Sequence, residues 1–206
     1  IYVTNDVRQG RSVLQLVFSY SSPLQTFDDQ ISQAEVAARL GAISTFDRRG
    51  EVIFLEDFEH GRTGWIQGDT PSADLVLSTT KRVSGTTSLK TVSPGTGTGL
   101  PVAIRYMPYP TLGKMGLEAR FNPSSATKGI YGIEIGLYDG TNYIRANLRY
   151  NAATDLYVYL NSAGTYTTLG TGKVLGTQGQ FHVMKVVADF ANQRMVRAII
   201  NSDRYE

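Results

Sequence analysis

The chain has 206 residues, with 20 Lys and Arg against 18 Asp and Glu, 41% hydrophobic and 10% aromatic residues, and no Cys. A charged fraction of 18% beside that aromatic content excludes intrinsic disorder and allows a buried core. A net charge of +2 without a basic block leaves nucleic acid no electrostatic footprint, and the lack of Cys removes disulfides, thiolate metal sites and cysteine nucleophiles together.

No stretch approaches the roughly 18 apolar residues of a membrane helix, so no membrane insertion is expected. The pattern opens abruptly at Ile1-Tyr2-Val3 and stops six residues after the strand-like run 195–200. The chain therefore reads as an excerpt or a processed product of a longer protein, cut near the C-terminal end of its last unit.

Residues 1–50 read as an N-terminal arm with one helix. In residues 13–20, Val13, Gln15, Val17 and Ser19 alternate with Leu14, Leu16, Phe18 and Tyr20, which suits a strand or an extended arm. Thr26 is placed to cap a helix, Asp29 stands in for the capping-box Glu, and Phe27, Ile31, Ala34 and Ala38 line one face. Gly41 ends it. So short a helix must dock on something, and packing between subunits is the expected use of the arm.

From residue 51 the period changes from 3.6 to 2. Strands are predicted at 52–58, 74–77, 82–92, 102–109, 115–121, 130–138, 143–150, 156–160, 166–169, 181–190 and 194–200. Turn signals such as Asp139-Gly140-Thr141-Asn142 and Asn161-Ser162-Ala163-Gly164 fall between them. Short strands at this spacing, with no helical run between, argue for an all-β antiparallel β-sandwich, a jelly roll over 51–206. Tyr131, Ile133, Ile135 and Leu137 are its expected core face on one strand; Ala146 and Leu148 are expected to do the same on the next. The sandwich is expected to close its core without the arm.

Three segments carry a resemblance. Leu55-Glu56-Asp57-Phe58-Glu59-His60-Gly61 with Gly64-Trp65, then Val83-Ser84-Gly85-Thr86-Thr87-Ser88-Leu89-Lys90, are similar to strands of carbohydrate-binding-module jelly rolls. Phe181-His182-Val183-Met184-Lys185-Val186-Val187-Ala188-Asp189 resembles the late strand of laminin-G-like and concanavalin-like sandwiches. The likeness implies a fold rather than a ligand, since such sandwiches host lectins, enzymes and virion proteins alike. It also implies a possible structural Ca²⁺, with Glu59 and Asp189 as carboxylate ligands and loop carbonyls near Ser84–Thr86 completing the shell. Trp65 is expected to plug the end of the sandwich rather than stack on a sugar.

Catalytic patterns are missing. A glycosidase needs two facing carboxyl groups about 5–10 Å apart, whereas residues 132–139 offer Glu134 and then Asp139 in a turn. Glu134 is expected on the solvent face or paired with Arg120 or Arg145. His60 and His182 have neither metal-ligand spacing nor a nucleophile elbow. The remaining signal is a polar, aromatic sheet surface: Tyr143, Arg145, Asn147 and Arg149 on one strand, Tyr157 and Tyr159 on another. Sugar site, protein interface and ordinary solvent face stay open for these six. The expectation is a non-enzymatic structural or decoration protein of an extracellular assembly such as a virion, with other subunits as partners and extracellular or virion-surface location. The alternatives are a carbohydrate-binding module of a larger secreted protein and, third, a concanavalin-like glycoside hydrolase.

Overall fold

The computed structural model describes residues 2–6, 11–19, 53–68, 74–83, 85–93, 101–108, 113–123, 129–171 and 180–206. These are all-β and contain no helix. The helix expected from Thr26 onward lies outside the described residues. The first six strands are β1 Tyr2–Asp6, β2 Arg11–Ser19, β3 Trp65–Gln67, β4 Asp74–Ser78, β5 Ser88–Val92 and β6 Val102–Pro108. The next four are β7 Lys114–Asn122, β8 Ile130–Tyr138, β9 Tyr143–Asn151 and β10 Leu156–Leu160. Last come β11 Tyr166–Thr171, β12 His182–Asp189, β13 Arg194–Ile200 and β14 Asp203–Tyr205.

They form two sheets in a sandwich-like arrangement. The first has the order β14-β13-β12-β7-β1-β5-β4, the second β11-β10-β9-β8-β2-β6-β3. The strands from β3 onward pair antiparallel wherever they meet one another. β1 and β2 instead insert parallel to both neighbours: β1 between β5 and β7, β2 between β6 and β8. The sheets from residue 53 onward are thus not continuous without the first nineteen residues, contrary to the expectation of a sandwich closed by itself. Alternation in 13–19 is compatible with any half-buried strand, and local pattern carries no information about which distant edges a strand joins.

The core lies between the sheets. Tyr131, Ile133, Ile135 and Leu137 of β8 are at most 3% exposed, and Ala146, Leu148 and Tyr150 of β9 are buried beside them, as the period-2 pattern predicts. A ladder of rings crosses from one sheet to the other and back. Phe121 meets Tyr131 at 5.9 Å between centroids, Tyr131 meets Tyr150 at 6.4 Å, Tyr150 meets Tyr157 at 5.6 Å, and Tyr157 meets Tyr205 at 6.4 Å. Each such pair is worth about 0.5–1.5 kcal/mol beyond its buried area. Trp65 plugs one end: it is 5% exposed, packs on Phe58, and donates its indole N–H to Glu56 at 3.0 Å.

The strand predicted at 52–58 does not form within 53–58. Glu56 Oε1 accepts the Phe58 N–H, Asp57 Oδ1 accepts the Glu59 N–H, and Phe58 adopts a φ of 62°. Two acids that bond to the backbone just ahead of them offer the chain a turn in place of a ladder.

Candidate functional site

The outer face of the second sheet carries the most organised polar cluster. Its centre is Glu134, placed by Gly132-Ile133-Glu134-Ile135-Gly136 on the side of β8 opposite the core residues Ile133 and Ile135. Glu134 is 4% exposed although it points away from the core. The two glycines explain this. A Cβ at Gly136 would collide with the Tyr143 phenol, and one at Gly132 would stand 2.8 Å from Arg149 Cγ. With no side chains there, Tyr143 and Arg149 of β9 lie down over β8, Tyr143 reaching the carboxylate itself.

The carboxylate is met from several directions. Glu134 Oε1 accepts from the Tyr143 hydroxyl at 3.1 Å, and Oε2 accepts from Asn147 Nδ2 at 2.7 Å. Arg145 Nη1 stands 3.9 Å from Oε2 with its side chain 46% exposed, a separation and exposure at which an ion pair adds little stability. Tyr166 arrives from β11: its hydroxyl donates to Asn147 Oδ1 at 3.4 Å, and the Arg149 guanidinium lies 4.3 Å from its ring centroid. Burial pushes the Tyr166 phenol above its ordinary value, a shift opposed by Arg149 and reinforced by Glu134. Tyr143 and Tyr166 nevertheless each keep 41% of their surface in solvent. The result is a covered, hydrogen-bonded carboxylate with two guanidinium groups around it and half-exposed aromatic rings above. Glu134 is also the one acidic residue in β8, β9, β10 and β11.

Tyr143, Arg145, Asn147 and Arg149 are therefore brought together as predicted, but Tyr157 and Tyr159 are not part of the same surface. Tyr157 pairs with Tyr150 and Tyr159 with Leu148, and directly opposed residues share a face. Those partners are core residues, and Tyr157 itself is 1% exposed. Period-2 alternation shows which residues of one strand share a face; which side faces the core depends on the register with the neighbour. Glu134 is not on an open solvent face, and of its two expected partners it meets Arg145. Tyr166 escaped the sequence reading because its strand shows little pattern. The Gly-x-Glu-x-Gly alternation around Glu134 was visible and marks a residue meant to be covered.

The Ca²⁺ ligands implied by resemblance do not converge. Glu59 accepts from the backbone N–H groups of Thr86 and Thr87, both at 2.7 Å, and from their hydroxyls at 2.6 and 2.9 Å. Its carboxylate oxygens are occupied by this chain's own donors. Asp189 instead accepts from the Asn192 N–H at 3.1 Å and from Asn192 Nδ2 at 2.9 Å. Thr87 leads into β5 and Asp189 ends β12, with β7 and β1 between those strands. Three strand intervals amount to about 14 Å, too far for two ligands of one ion. No group of three or more His, Asp or Glu among the described residues is placed to hold a metal. His182, packed 5.8 Å from the Phe121 ring and 3.2 Å from Asn201 Nδ2, is a core residue.

Comparison of the chain with protein-family models, with curated proteins and with solved structures finds no match.

Proposed function

We propose that the chain is a non-enzymatic β-sandwich of the jelly-roll class that recognises a glycan on the outer face of its second sheet. The observation that carries this reading is Glu134, covered and hydrogen-bonded to Tyr143 and Asn147 beneath two half-exposed tyrosine rings. Sugar recognition needs ring faces to stack on and rigid polar groups at the level of the hydroxyls. A buried carboxylate that holds a Tyr and an Asn supplies that rigidity without the second acid a glycosidase requires. The test is affinity electrophoresis against a panel of polysaccharides, with Tyr166→Ala and Asn147→Ala as variants. Retardation of the native protein is expected, with about tenfold weaker binding in Tyr166→Ala, the equivalent of one lost contact of about 1.4 kcal/mol. Weaker binding is expected also in Asn147→Ala, whose fully buried amide acts by holding Tyr166. A native protein that migrates unchanged through every polysaccharide overturns the reading.

A second reading is a structural or decoration component of an extracellular assembly such as a virion, with other subunits as partners. It is favoured by large apolar side chains left in solvent: Val76 and Leu77 on the edge strand β4 and Ile66 on the edge strand β3 are 40%, 42% and 46% exposed. Apolar sheet edges are where another chain docks.

A further inference from the structure

β1 and β2 occupy an unusual place. Each lies in the interior of a sheet, parallel to the strands on both sides, so no hairpin ties it to a neighbour. Val3 stands opposite Leu89 and Phe121, and Leu16 opposite Arg105 and Ile135. Without this pair of strands β5 and β7 would lose their common partner, as would β6 and β8, leaving four strand edges unpaired inside the sandwich. Filling those slots is a long-range event. The segment 20–52 separates β2 from the rest of the described chain, and its 33 residues would span about 110 Å when extended.

We infer that β1 and β2 form an exchangeable donor segment, and that in an assembly β1 and β2 of one copy fill the two interior slots of a second copy. Exchange conserves every pairing, because the slots and the strands are identical in each copy. What changes is the tether alone. Tethering through a segment of tens of residues sets an effective concentration of about millimolar or less, so a neighbouring copy competes once the local protein concentration approaches that value. The inference deepens the assembly reading, on which it rests for the identity of the partner. It also bears on the candidate site, since β2 places Gln15 at the register position beside Glu134, and exchange would bring that strand from the partner copy.

The absence of native Cys makes a direct test clean. Val17 stands opposite Tyr106 across the β2–β6 pair, at a Cα separation compatible with a disulfide. The double variant V17C/Y106C should close an intramolecular disulfide at low concentration. The single variants V17C and Y106C, co-refolded together at about millimolar concentration and then oxidised, should yield a covalent heterodimer that neither forms alone. A double variant that closes while the mixture yields no heterodimer overturns exchange. Failure of both overturns the strand placement and the inference with it. An oligomer seen by light scattering without the heterodimer overturns exchange but leaves assembly standing, and polysaccharide retardation reports separately on glycan recognition.

Discussion

Glu59 draws together two segments distant in sequence, and the physics of its site is that of a carboxylate caught by a turn. The Thr86 hydroxyl, the Thr87 N–H and the Thr86 N–H hold its pKa at about 2 against an ordinary 4.5. Gly85 is required beside it: its φ is +66°, and a Cβ there would collide with the Glu59 carboxylate. Because the folded value lies below the unfolded one, the stabilisation is complete above about pH 4.5 and is lost as pH falls toward about 2. Urea midpoints measured from pH 7 to pH 2.5 should therefore drop through that window, and Glu59→Gln should lower the pH 7 midpoint while flattening the drop. An equally steep decline in the variant would place the acid sensitivity elsewhere. With its oxygens satisfied by Thr86 and Thr87, Glu59 has no need of a cation. A chelator should leave the melting temperature of the protein as purified unchanged.

At the scale of the element, β9 and β10 separate stability from recognition. Their inner faces carry Tyr150 and Tyr157, both fully buried in the ring ladder, while β9 turns Tyr143 and Asn147 outward to Glu134. Removing a large buried ring costs about 3–5 kcal/mol, so Tyr157→Ala should lower stability by that amount in urea unfolding. Tyr166→Ala, at a half-exposed position on the outer face, should cost about 1 kcal/mol or less while weakening retardation by polysaccharide. A Tyr157 variant as stable as the native protein would mean that the register between β9 and β10 differs from the pairing of Tyr157 with Tyr150.

At the scale of the whole molecule, the placement of β1 and β2 reverses what is expected of a truncation. An arm docked outside a finished sandwich could be removed with the β signal intact. Strands inserted between β5 and β7 and between β6 and β8 cannot, because their loss exposes hydrogen-bonding edges in the interior of both sheets. Deleting residues 1–19 should abolish the cooperative unfolding transition followed by near-ultraviolet circular dichroism, or drive aggregation. A truncated protein with a native-like transition would show that β1 and β2 add little to the fold.

The sequence alone determined the β-rich body and most of its strands, because alternation of apolar and polar residues is a local property written along each strand. Ile130–Tyr138 is the clearest case: its inward residues, and the grouping of Tyr143, Arg145, Asn147 and Arg149 on one face, are legible from period 2. Tertiary structure alone decided how the faces match between strands. Tyr157 belongs to the core and Tyr159 shares its face because they pair with Tyr150 and Leu148, and nothing within their own strand distinguishes inward from outward. Pairing also gathers Tyr166 of β11 over Asn147 and Arg149 of β9, and keeps Glu59 and Asp189 three strands apart. Short-range pattern reflects the geometry of one strand, whereas register, sheet order and the insertion of β1 and β2 depend on contacts between residues far apart in the chain.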